Sequence, residues 1–139
     1  MSHAWLALTL TVAGCTSATT DEEIRGQVTL MLNQEGAPAQ TAADRLTGFG
    51  KRAIPTIESA LHTASPAGKK SLVVVLGRIG DEAAVPLLGH LAAWEPLEEV
   101  RGLARVTLER WAQEKNPRGE KSRAALRAVD ETRQREEAG

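Results

Sequence analysis

Two stretches of this chain repeat, and the repeat restricts it to stacked helix pairs. Leu46-Thr47-Gly48-Phe49-Gly50-Lys51-Arg52-Ala53-Ile54-Pro55 matches Leu76-Gly77-Arg78-Ile79-Gly80-Asp81-Glu82-Ala83-Ala84-Val85-Pro86. Leu46 to Leu76 is a step of 30, and Pro55 to Pro86 is a step of 31 with one residue inserted. A partial third copy starts at Glu99-Val100-Arg101, and Leu76 to Leu108 is a step of 32. A period in this range marks units that cannot bury an apolar face alone and must stack on their neighbours.

The punctuation between the repeats is helical. Thr20-Asp21-Glu22-Glu23 reads as a capping box before a stripe of Ile24, Val28, Met31 and Leu32. Gly36-Ala37-Pro38 ends that helix, and a short helix is expected from about Thr41 to Gly48. A third, over about Arg52 to Thr63, carries Ile54, Ile57 and Leu61. Ser65-Pro66 opens a fourth with Leu72, Val75, Leu76 and Ile79 on its core side; Val73 and Val74 widen the stripe. Gly80 ends it, and Asp81 caps a fifth over 81–94 with Val85, Leu88 and Leu91. Glu95-Pro96 opens a sixth that reaches Trp111, and Asn116-Pro117 opens a charged seventh. No segment alternates with period two for long enough to make a strand.

The run Leu76 to Leu88 closely resembles the HEAT-like repeat, in the short-period form also seen in phycobilin lyases, and Glu98-Glu99-Val100-Arg101 resembles the start of that repeat's first helix. The resemblance covers about Thr41 to Trp111. It implies an all-α fold: a short α-α superhelix of antiparallel helix pairs, the HEAT-like or armadillo-type solenoid. The third repeat lacks the Gly-Asp…Val-Pro continuation and has Trp111-Ala112-Gln113-Glu114-Lys115 in its place.

Residues Ala4 to Gly14 form an uncharged, mostly apolar run that ends in Val12-Ala13-Gly14-Cys15. The length suits a signal-peptide core of roughly 7–15 residues and falls short of the ~20 that span a bilayer. The ending resembles the lipobox of bacterial lipoproteins, although the n-region Met1-Ser2-His3 has no Lys or Arg. That resemblance implies lipidation of Cys15, a protein held to a membrane of the cell envelope on the periplasmic side, and Thr16 in a position that favours the outer membrane. The expected organisation is a signal over 1–14, a lipidated linker over 15–20, the repeat domain over 21–112 and a charged helix or tail over 113–139. The tail is expected to cap the array and fray at its end.

Composition narrows the function. Lys plus Arg total 17 and Asp plus Glu 18, for a net charge of −1, so no basic patch for nucleic acid is expected. One Phe, three Trp and no Tyr leave no stacking platform. The lone cysteine excludes an internal disulfide or a CxxC site. No Ser-His-Asp set, HExxH or phosphate loop is present, and Glu98 and Glu99 point about 100° apart on a helix, a poor acid–base pair. His62 and His90 stand 28 residues apart, out of phase with the repeat. No catalytic residue, metal, cofactor or small-molecule substrate is therefore expected.

The expected function is a non-enzymatic scaffold that binds a protein partner. In HEAT-like solenoids the second helices line the concave side, which here places Thr56, Ser59, Thr63, His90 and Trp94 on the partner-binding face. Two alternatives stay open: an enzyme like the phycobilin lyases, and a cytoplasmic adaptor if residues 1–14 are not a signal.

Overall fold

The computed structural model describes residues 15–139. Residues 1–14, which carry the expected signal, lie outside the described residues. Among the described residues there are seven helices: α1 (Cys15–Asn33), α2 (Ala37–Phe49), α3 (Ile54–Leu61), α4 (Pro66–Ile79), α5 (Val85–Trp94), α6 (Glu98–Ala112) and α7 (Pro117–Ala138). Two 3₁₀ segments, Gly50–Ala53 and Glu82–Ala84, lead into α3 and α5. No strand occurs among the described residues.

The helices lie in two layers. In the first, α2 packs on α4 and α4 on α6; in the second, α3 packs on α1 and α5 on α7. The pairs α2/α3, α4/α5 and α6/α7 are the three repeats. The repeated leucines Leu46, Leu76 and Leu108 have no exposed surface, nor do the second-layer Ile57 and Leu88. Trp111 and Val100 join the same core.

Local signals set the helix ends. The Ser65 hydroxyl accepts the Gly68 amide, the Asp81 carboxylate accepts the Ala83 amide, and the Asn116 side chain accepts the Gly119 amide. Gly50 (φ 62°) and Gly80 (φ 66°) sit at the same turn of successive repeats, in the left-handed region that a side chain disfavours.

Several expectations are corrected. The helix α1 already runs from Cys15, where a linker over 15–20 was expected, because no Gly or Pro interrupts the chain between Cys15 and Gly26. Ala37 and Pro38 begin α2 instead of only ending α1, since proline fits a first helical turn. Of the two valines that widen the α4 stripe, Val73 is buried and Val74 is half exposed. The sixth helix starts at Glu98, after Leu97, and not at Pro96.

The charged C-terminal segment is the second helix of the third pair, and it stays helical to Ala138. Small buried residues seat it: a Cβ at Gly119 would lie 2.0 Å from the Glu114 carbonyl oxygen, and Ser122 has no exposed surface. Polar contacts fasten it. The Arg118 guanidinium lies 4.9 Å from the Trp111 ring centroid, pairs with Glu114 and donates to the Gly80 carbonyl oxygen at the end of α4. Lys121 meets Glu82 at 3.0 Å, and Arg105 of α6 meets Asp130 at 2.8 Å. In the third pair, which lacks the Gly-Asp motif, Asn116 caps the second helix.

Two predictions follow from this packing. Leu76→Ala should cost about 2–5 kcal/mol in chemical denaturation, as expected of a fully buried leucine; a loss under ~1 kcal/mol would contradict the packing. The second concerns pH. The bond from Arg118, then that from Asn116, holds the Glu114 carboxyl below its ordinary value of 4.5. A carboxylate with a lowered folded pKa stabilises the fold above the ordinary value and loses that contribution as pH falls through the folded one. Wild type should therefore melt above Glu114→Gln at pH 7, with the gap closing as pH drops below 4.5; a gap independent of pH would refute the pairing.

Candidate functional site

The second-layer face carries two shallow grooves that meet on α5. One, of about 490 Å³, runs between α3 and α5 and is lined by Glu58, Leu61 and His62 on one wall and Leu87, His90 and Leu91 on the other. The other, of about 260 Å³, runs between α5 and α7 over a floor of small residues, Gly89, Ala93, Ala125 and Ala128. Pro86 and His90 line both grooves. These two, with Trp94, follow i, i+4 spacing and form the outer crest of α5.

The small residues explain the unequal seams. Ala125 lies 3.5 Å from where a Cβ on Gly89 would stand, so α5 and α7 approach closely. The corresponding wall of α3 has Glu58 and His62, which are larger, one repeat step before Gly89 and Ala93. The α3–α5 seam therefore stays open. At one end of it Lys69 pairs with the buried Glu95 at 2.9 Å.

The sequence-predicted residues divide between crests and seams. His90 and Trp94 both line the α5–α7 groove. Trp94 is 56% exposed, so it does not fold over the Pro96 loop to close the core. Ser59 and Thr63 are exposed and take the equivalent crest positions on α3 by the step of 31, but neither lines either groove. Thr56 is half-buried and lines neither groove. The α3–α5 groove lies between the two crests. The backbone at Cys15 begins α1.

Sequence reasoning missed Glu58 and Leu87, and it set His62 and His90 apart. The structure brings both histidines to one groove. Residues one full repeat apart have equivalent orientations and so sit on successive crests. A step of 28 is three residues short of the repeat, which turns the second histidine by about 60° from the equivalent position and lets both reach one seam. No group of three or more metal-ligating side chains occurs among the described residues.

Comparison with solved structures decides the fold. The complex of CpcE and CpcF of phycocyanin lyase from Nostoc sp. PCC7120 matches with a TM-score of 0.59 over 81% of this chain, at 20% sequence identity. The fold is HEAT-like. The match covers 65% of the solved chain, so this chain spans less than two thirds of its length. No family model and no curated protein matches the sequence. The match also corrects an expectation: a chain of this fold was expected to catalyse nothing, yet the similar structure is that of a lyase complex. A short α-α solenoid without a recognisable catalytic motif is thus no argument against enzymatic function.

Charge bears on how the opposite layer is held. In the first layer Asp44 of α2 meets Arg78 of α4 at 2.6 Å, and Lys70 of α4 meets Glu99 of α6 at 2.8 Å. Both carboxyls are held below their usual range, chiefly by the bond from the paired cation. These pairs are exposed and worth little alone. Exchanging partners, as Asp44→Arg with Arg78→Asp, should restore most of what either single change loses in thermal stability. If the double variant melts no higher than the lower single one, the seam is not held by this pair.

Proposed function

We propose that this chain is a HEAT-like protein-binding subunit whose second-layer face receives a partner protein. The observation that carries the reading is Trp94, a large aromatic side chain left 56% exposed beside a groove of small residues. Aromatic anchors of this kind dominate interface energetics. The similar solved structure is itself a complex of two proteins, CpcE and CpcF, which supports a role as one component of an assembly.

The same likeness favours a second reading, a lyase-type subunit acting with its partner on a chromophore-bearing protein. The α3–α5 groove would then supply Glu58, His62 and His90 as proton-transferring groups. A shift in bilin absorbance on mixing with the assembled pair would support this reading, and an unchanged spectrum would count against it. Lipid attachment at Cys15 belongs to the proposal too, on the strength of Val12-Ala13-Gly14-Cys15.

Trp94→Ala should leave the fold intact, with stability changed by about 0.5 kcal/mol or less as for an exposed position, while partner affinity falls by tenfold or more, the loss of roughly 1.4 kcal/mol. A large drop in melting temperature with undiminished partner capture would place Trp94 in the core and sink the reading. Independently, Cys15→Ser should release the chain from membranes. Mass spectrometry showing an unmodified Cys15 in the mature native protein would exclude the anchor.

A further inference from the structure

The α3–α5 seam differs from the clamped seams around it. Asp44–Arg78 and Lys70–Glu99 close the first layer, and Arg105–Asp130 and Lys121–Glu82 fasten the third pair. In the α3–α5 groove Lys69 is already matched by Glu95. That leaves Glu58, an exposed carboxylate on the α3 wall, with no ion pair or hydrogen bond among the described residues. The opposite wall presents Leu87, His90 and Leu91, and Leu61 lies one turn along from Glu58. The groove thus sets the half-buried Leu87, above the buried Leu61 and Leu91, beside one uncompensated negative charge.

We infer that the α3–α5 groove is a docking site for an arginine-bearing apolar segment of a partner protein, with Glu58 as the acceptor of the guanidinium. The inference rests on the reading of the second-layer face as a partner surface and names the chemistry of what docks there. Arginine fits both features. Its aliphatic stem lies along leucine side chains while its planar head offers two parallel N–H donors to one carboxylate. A lysine would supply the charge without the paired donors. An acidic segment would meet Glu58 with repulsion. The volume of about 490 Å³ suits a few side chains and not a whole helix. The same helix also carries His62, one turn beyond Glu58, where an unprotonated ring nitrogen can accept a hydrogen bond from a remaining guanidinium N–H.

The test uses the full chain and a library of random twelve-residue peptides displayed on phage. Wild type, Glu58→Gln, Glu58→Arg and Trp94→Ala are panned in parallel after circular dichroism shows equal helicity. Wild type should enrich peptides with arginine flanked by aliphatic residues. Those peptides should bind Glu58→Gln about tenfold more weakly, and Glu58→Arg should enrich acidic peptides instead. Enrichment without a basic preference, no enrichment at all, or equal binding of the selected peptides by wild type and Glu58→Gln would each overturn the inference. Peptides that lose binding with Trp94→Ala but not with Glu58→Gln would overturn this groove alone, leaving the partner face in place.

Discussion

The structure depends on a column of leucines. Leu46, Leu76 and Leu108 stand at the same place in three successive first helices, and none has exposed surface. Leu46 and Leu76 each have the next helix of their layer beside them, whereas α6, which carries Leu108, ends that layer and packs on α4, α5 and α7. The burial of one such side chain is worth about 1.5–3 kcal/mol, and deleting one also leaves a cavity. The second layer repeats the logic with Ile57 and Leu88. Stacking, and no local feature, makes these short helices persist, because α3 has 8 residues and α5 has 10, below the length at which isolated helices hold in water.

The same constraint explains the last helix. α7 carries few large apolar residues, with Val129 buried and Ala125 and Leu126 half-buried. It docks by closeness and by charge. Gly119 and Ser122 let its first turns press on the α6–α7 turn, while Arg118 reaches back over Trp111 to the end of α4. Without α7, the Gly89 and Ala93 side of α5 would stand open. A charged segment at the end of a solenoid is thus both the polar cap and a working member of the second layer.

The spacing of the leucines was enough to read an all-helical array, and Ser65, Gly80, Asp81 and Asn116 sit where their helix ends require. The sequence hid three things, each for a physical reason. Helical phase alone does not say which neighbour a side chain meets, so His62 and His90 appeared unrelated although they share a groove. Charge looks like solvation in one dimension, so the fastening roles of Arg118, Lys121 and Arg105 were invisible until their partners were adjacent. The capacity of a seam to stay open depends on side-chain size across it, and Gly89 against Ala125 closes what Glu58 and His62 leave ajar. Of the proposed partner face, Trp94 and His90 were readable as exposed members of one crest, whereas Glu58 carried no signal of its own.

A partner on the second-layer face is the centre of this account, and site-specific photocrosslinking in the native cells tests it most directly. A photoreactive residue is placed at Ser59 or His90, on the crests of α3 and α5, or at Val106, a 58% exposed position on α6 in the first layer. Illumination should give one and the same covalent adduct to a second protein from positions 59 and 90 and none from 106. An adduct formed from 106 alone, or none from either crest position, would contradict the account.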